Sequence, residues 1–275
     1  MRRKLILWGF ALIITAALSA CGAEKSPQEH GPEYNAEKDF KVKIIDGSKA
    51  VKIARYRGDK KEVEIPTWIK NLPVAVIGPG AFHGKHLTNV TIPDSVTAIE
   101  KGAFLNNRLT GVTIPPGVIS IGERAFEQNQ LTSVTIPHTV TVGKWAFAYN
   151  RLTVADISHG VTSIDRGVFA ENRLASVTIP NSVTSIGWWS FQNNQLTSVT
   201  IPDSVTSIGW GAFNKNSLTA ITIGANVSLG RMGVFDKGFD NFYRQNGSKG
   251  GTYTYMDGSW SVQHNSEADA AKEVM

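Results

Sequence analysis

The chain has one cysteine, Cys21, among 275 residues. That excludes an internal disulfide framework and a zinc site built on paired cysteines. It has no apolar run of the roughly 20 residues that a spanning helix needs; the longest, LILWGFALIITAAL, is shorter and lies at the N-terminus. It has little net charge. The formal total is +5, and Arg2, Arg3 and Lys4 supply three of those positives, which leaves no electrostatic footprint for nucleic acid. The Gly-x-Ser-x-Gly, His-Glu-x-x-His and phosphate-loop motifs are missing. No catalytic residue, metal or cofactor is read from the sequence, which sets an enzyme last among the function classes.

What the chain does have is repetition. LTNVTIPDSVTAIEKGAFLNNR starts at Leu87, and related stretches start at Leu109, Leu131, Leu152, Leu174, Leu196 and Leu218. The period is 22, and the copy from Leu131 is one residue short. A fixed period of this size marks stacked supersecondary units. Each unit is too small to bury its own apolar face and hides it against the next, so the stack behaves as one elongated domain.

The consensus LTxVTIPxSVTSIGxxAFxxNx predicts the path of one unit. Val199 and Ile201 alternate with Thr200 as in a strand buried on one face, and Pro202 stops the ladder. A second short extended piece follows, with Val205 and Ile208 inward, and then a helical or 3₁₀ turn at Ala212 and Phe213. Stacking turns positions into columns. Phe82, Phe104, Phe126, Phe147, Phe169, Phe191 and Phe213 form a core column. Asn107, Asn129, Asn150, Asn172, Asn194 and Asn216 form an internal ladder of amides on backbone groups. The expected fold is a mainly β repeat solenoid with short helical or 3₁₀ turns and caps at both ends. A hairpin is predicted from Phe40, Val42 and Ile44 through Gly47 to Val51 and Ile53. A short helix is predicted from the spacing of Phe235, Phe239 and Phe242, and a hairpin over 252–262 around Asp257-Gly258.

The N-terminus reads as a targeting segment, with MRRK before the apolar stretch and small residues after it. Leu18-Ser19-Ala20-Cys21 resembles a bacterial lipobox. The resemblance implies cleavage before Cys21 and a lipid on its thiol, a membrane anchor for the chain. Gly22 places no acidic retention residue after it. The expected divisions are a signal peptide over 1–20, the lipidated cysteine and a flexible tether over 21–39, and an N-terminal cap with an atypical first repeat over 40–86. The regular solenoid then runs over 87–230, a C-terminal cap over 231–263 and a loose tail over 264–275.

The pattern L-x-x-V-x-I-P followed by S-V-x-x-I-G-x-x-A-F resembles the BspA-like, treponemal class of bacterial leucine-rich repeats over roughly residues 61–230. The resemblance implies a curved right-handed stack. It also implies a surface protein that binds other macromolecules, such as host extracellular-matrix proteins or neighbouring cells.

Two surfaces stand out as candidate binding sites. Trp188 and Trp210 fall on one column in adjacent repeats. That column elsewhere carries Lys101, Glu123, Lys144 and Arg166, so it faces solvent. Trp189 and Trp145 share the neighbouring column. Exposed clustered aromatics mark interaction surfaces. The second surface is a row with Thr178 and Thr200 in which Asp156 replaces a threonine. Near it, His138 and His159 occupy equivalent positions, which a metal or a pH switch could use, though a solvated loop explains them more simply. In the same repeat Asp165 replaces the usual glycine. Three readings remain open: a lipid-anchored outer-membrane protein exposed at the cell surface as an adhesin, a carbohydrate-binding module using the tryptophans, and a periplasmic scaffold lipoprotein. No pattern assigns an oligomeric state.

Overall fold

Every turn of the chain contributes one phenylalanine to a continuous stack, and that stack organises the fold. In a computed structural model, residues 37–138, 140–231 and 233–264 are described. The expected signal peptide, Cys21 with its expected lipid, most of the expected tether and all but residue 264 of the expected tail lie outside them. Phe82, Phe104, Phe126, Phe147, Phe169, Phe191 and Phe213 are buried, with successive ring centroids 5.0–6.1 Å apart and near-parallel planes. Phe235 continues the column 5.0 Å beyond Phe213, so eight turns are stacked. Offset-stacked rings at this spacing gain beyond their buried area.

The asparagine ladder is equally regular. Asn107 Oδ1 accepts from the Leu87 amide at 3.0 Å, and its Nδ2 donates to the Phe82 and Phe104 carbonyls at 2.8 and 2.9 Å. The same set recurs down to Asn216 with Leu196, Phe191 and Phe213. Each amide satisfies backbone groups of two consecutive turns, which is why an amide and not an apolar residue fills this interior position.

The strands follow the predicted alternation. Val199, Ile201, Val205 and Ile208 are buried and Thr200 is exposed. First strands pair in parallel, as Ser198–Thr200 does with Ala220–Ile223. Second strands form ladders of their own. One runs from Phe40–Ile45 through Ala50–Tyr56, Leu72–Ile77, Ala98–Ile99 and Ser120–Ile121 to Thr141–Val142; the other runs from Ser163–Ile164 to Ser228–Leu229. The turn after each second strand is not helical. It carries i→i−3 bonds, such as Ala212 N to Gly209 O at 3.2 Å, but residues at positive φ interrupt it.

The ladder break between Val142 and Ser163 has a local cause. The short repeat reads VTVG where the copies from Leu174 and Leu196 read VTSIG, so Thr141 and Val142 take the places opposite Ser120 and Ile121 and the turn is one residue short. In regular turns a glycine then meets the backbone of the preceding turn. A Cβ on Gly143, Gly187 or Gly209 would lie 2.5–2.6 Å from a backbone nitrogen there. Asp165 carries a Cβ there, as Glu100 does in a turn whose ladder is unbroken, so the shortened turn is what marks the break. A cleft of about 490 Å³, lined by Gly143 and Asp165 among others, opens at the break, and Phe147–Phe169 is the widest step of the column at 6.1 Å.

Both ends carry hairpins. Phe40–Ile45 pairs antiparallel with Ala50–Tyr56, and Gly47 takes φ 57° at the turn. Gly251–Met256 and Ser259–Gln263 pair across Asp257 and Gly258, both at positive φ as a tight hairpin requires. The C-terminal helix spans Phe239–Gln245. It begins later than the aromatic spacing predicts, because Phe235 belongs to the stacked column. Buried Asp240 fixes it there, accepting from the amides of Gly233, Val234 and Phe235 at 2.7, 2.7 and 3.0 Å.

Candidate binding surface

Backbone geometry seats the aromatic surface. After each second strand, the residue two before the core phenylalanine adopts a left-handed conformation. Gly102, Gly167 and Gly211 do so at φ 60–67°, and so do Arg124, Trp145 and Trp189 at φ 59–61°. Glycine adopts this conformation freely. A bulky residue is disfavoured there by about 1–2 kcal/mol. Two tryptophans and Arg124 are therefore held where the backbone is better served by glycine.

The glycines of neighbouring turns make room for the indoles. A Cβ on Gly167 would lie 2.2 Å from Trp145 Cε3, and one on Gly211 would lie 2.4 Å from Trp189 Cδ1. Trp145 thus extends across the Gly167 turn and reaches Trp189, with ring centroids 5.9 Å apart. Trp189 also meets Trp188 at 6.4 Å and Trp210 at 5.1 Å. Trp188 and Trp210 are 52% and 45% exposed. The guanidinium of Arg166 sits among them, 4.4 Å from the Trp189 ring centroid, 5.6 Å from Trp188 and 5.9 Å from Trp145. Cation–π contact of this kind holds the cation and orients the rings. The Arg166 Nε is buried and hydrogen-bonds to nothing among the described residues.

The sequence placed Trp188 and Trp210 correctly in solvent, but it separated Trp145 from Trp189 by a whole repeat and passed over Arg166. The signal was present in the alternation of Trp and Gly down one column. An indole next to a glycine in the following turn can lie over it.

The threonine row is a separate surface. Thr178, Thr200 and Asp156 are exposed. Asp156 stands opposite Thr135 in the parallel pair, whereas residues 176–180 are not in a strand. A cleft of about 600 Å³ lies at that interruption, lined by Asp156, Thr178, His138, His159, Ser158 and Ser176 with others. The structure brings Asp156 and Thr178 together there; Thr200 is not among the lining residues. The His138 ring Nδ1 bonds the His159 carbonyl at 2.9 Å, so the two histidines meet through ring and backbone. No group of three His, Cys, Asp or Glu side chains able to hold a metal occurs among the described residues. No helix among them is long and apolar enough to cross a membrane.

The family described as BspA type Leucine rich repeat region matches residues 75–195 and 162–241, in 6 copies. The chain belongs to the BspA-type leucine-rich-repeat family. Solved structures with similar folds include a leucine-rich repeat protein of T. pallidum, 24% identical with a TM-score of 0.53, over 79% of this chain and 98% of that one. The pneumococcal vaccine antigen PcpA is 19% identical with a TM-score of 0.52, over 70% of this chain and 64% of that one. A leucine-rich repeat protein of Bacteroides ovatus is 22% identical with a TM-score of 0.46, over 70% of this chain. The BspA-type chain spans 66% of the length of the B. ovatus protein. No curated protein matches the sequence.

Proposed function

We propose that this BspA-type protein is anchored to the outer membrane through a lipid on Cys21 and exposes its repeats at the cell surface. There it binds a host matrix protein or a component of a neighbouring cell. The observation that carries the reading is the cluster of Trp145, Trp188, Trp189 and Trp210 around Arg166, with two of the indoles held in a left-handed backbone conformation. Trp and Arg are the residues most enriched at energetic centres of protein interfaces. Membership of the family and the likeness to a bacterial vaccine antigen support a surface role. Binding by complementarity over several turns needs no catalytic group, and the reading assigns none.

The test has two arms. Protease treatment of intact cells should remove the protein while a periplasmic control stays intact. The full chain should then bind immobilised matrix proteins or partner cells. Full protection from the protease would favour the periplasmic scaffold. A carbohydrate ligand is the second reading, favoured by the exposed Trp188 and Trp210 rings, which offer stacking faces. Binding on a glycan array, with no binding to proteins, would replace the first reading by the second.

A further inference from the structure

The near-neutral balance of the whole chain hides an asymmetry. Residues 37–86 carry eleven Lys and Arg against six Asp and Glu, whereas residues 87–275 carry 13 against 14. The folded body's excess of positive charge is thus confined to its N-terminal cap.

That excess has a defined geometry. In the terminal hairpin Lys41 stands opposite Arg55, and Lys43 stands opposite Lys52. Directly opposed residues of an antiparallel pair share a face. The four cations therefore lie on one side, opposite to the buried Phe40, Val51, Ile53 and Tyr56. The register shift after Lys41 leaves Ala54 as the extra residue, and that bulge lets Lys52 and Arg55, three apart, point the same way. Lys52 is held by Glu100 at 2.7 Å, while Lys41, Lys43 and Arg55 are exposed. Like charges opposed across strands destabilise a hairpin. Protection of a free strand edge accounts for lysines on the outermost strand, Lys41 and Lys43. It does not account for Arg55 and Lys52, which lie on the inner strand.

We propose that this face of the terminal hairpin docks on the anionic headgroups of the bilayer that holds the chain. The proposal rests on the membrane-anchor reading above. The hairpin is the first strand pair of the body and follows Cys21 by fewer than twenty residues. A polar tether of that length has a typical end-to-end distance of about 25 Å, and the cap is the part of the body that it joins. Basic clusters beside a membrane are attracted to anionic lipid over about one Debye length. The cap then adds a second, electrostatic attachment to the covalent one.

The experiment is lysine acylation footprinting of the full chain, read by mass spectrometry, with phosphatidylcholine vesicles and with vesicles also containing phosphatidylglycerol. Labelling of Lys41 and Lys43 is expected to fall about threefold or more on the anionic vesicles only. Lys144 and Lys215, on the repeats, should label equally on both. The protection should vanish at about 1 M salt, where the Debye length is about 3 Å. Arg55→Glu keeps both lysines as reporters and should weaken the protection. Equal labelling of Lys41 and Lys43 on the two vesicle types would overturn the proposal, and so would protection that survives high salt. Retention of the chain on neutral vesicles reports the anchor separately, so failure of the anchor and failure of the docking face are distinguishable.

Discussion

The turns at Lys101 and Glu123 and the turns at Trp188 and Trp210 occupy the same place in the repeat and are built on the same interior. In the first pair the column carries a salt bridge, Lys101 Nζ to Glu123 Oε2 at 3.1 Å, with both side chains well exposed. In the second it carries indoles packed through Trp189. Beneath both, the phenylalanines stack 5.1–5.2 Å apart and the asparagines make the same bonds. The interior is thus held constant while the turn surface diverges. An exposed ion pair contributes little to stability, about 0–1 kcal/mol, so the charged half is a solvated face. Arg124 in the charged half adopts the same left-handed conformation as Trp145 and Trp189, so what sets the aromatic half apart is the packing of its indoles around Arg166.

The largest expected effect tests the constancy of the interior. Phe104→Ala and Phe191→Ala should each cost ~3–5 kcal/mol in urea unfolding, as should Phe147→Ala. A large difference between Phe104 and Phe191 would break the comparison at its base. Asn172→Ala comes next, at about 1–3 kcal/mol, because it orphans the Leu152 amide and removes one of the two amide donors on each of the Phe147 and Phe169 carbonyls. An unchanged Tm would mean that water replaces the amide and that the ladder is not structural.

Smaller effects sharpen the contrast between the surfaces. Trp189→Gly removes ring packing but relieves left-handed strain of about 1–2 kcal/mol, so the net change in unfolding free energy should stay near ~1 kcal/mol. A loss as large as that for Phe191 would make Trp189 a core residue. Smallest is Glu127→Gln. Burial pushes the Glu127 carboxyl above its ordinary value, with nearby Arg124 opposing and Glu123 adding. The folded state therefore holds this proton to higher pH than the unfolded state. The corresponding stability is present below the unfolded pKa and is lost as pH rises through the folded one. Glu127→Gln should raise Tm slightly at neutral pH and flatten that part of the pH profile; a Tm that falls more at pH 7 than at pH 4 would contradict the sign.

Most of the fold was legible because it is written repeatedly. Seven phenylalanines and six asparagines at one period leave little choice of interior, and the structure stacks them as the period implies. What escaped lies where a contact depends on a neighbour's missing side chain or missing residue. Trp145 reaches Trp189 only because Gly167 intervenes. The second-strand ladder breaks beside the one turn that lacks a residue. Phe235 sits in a helical spacing with Phe239 yet joins the column, because Asp240 ties the last turn to the helix start. The opposed cations of the N-terminal hairpin were hidden in a whole-chain charge that sums to little. These are facts about neighbouring residues, and they show only when each residue is read together with those beside it in the next turn or strand.

The most direct test compares two double variants of the full chain in one binding assay against matrix proteins and partner cells. Trp188→Ala with Trp210→Ala should lose binding by tenfold or more, ~1.4 kcal/mol or above, with an unchanged melting curve. Lys101→Ala with Glu123→Ala should bind as the parent does. Equal binding by both variants, or an equal loss in both, would contradict the assignment of binding to the aromatic half.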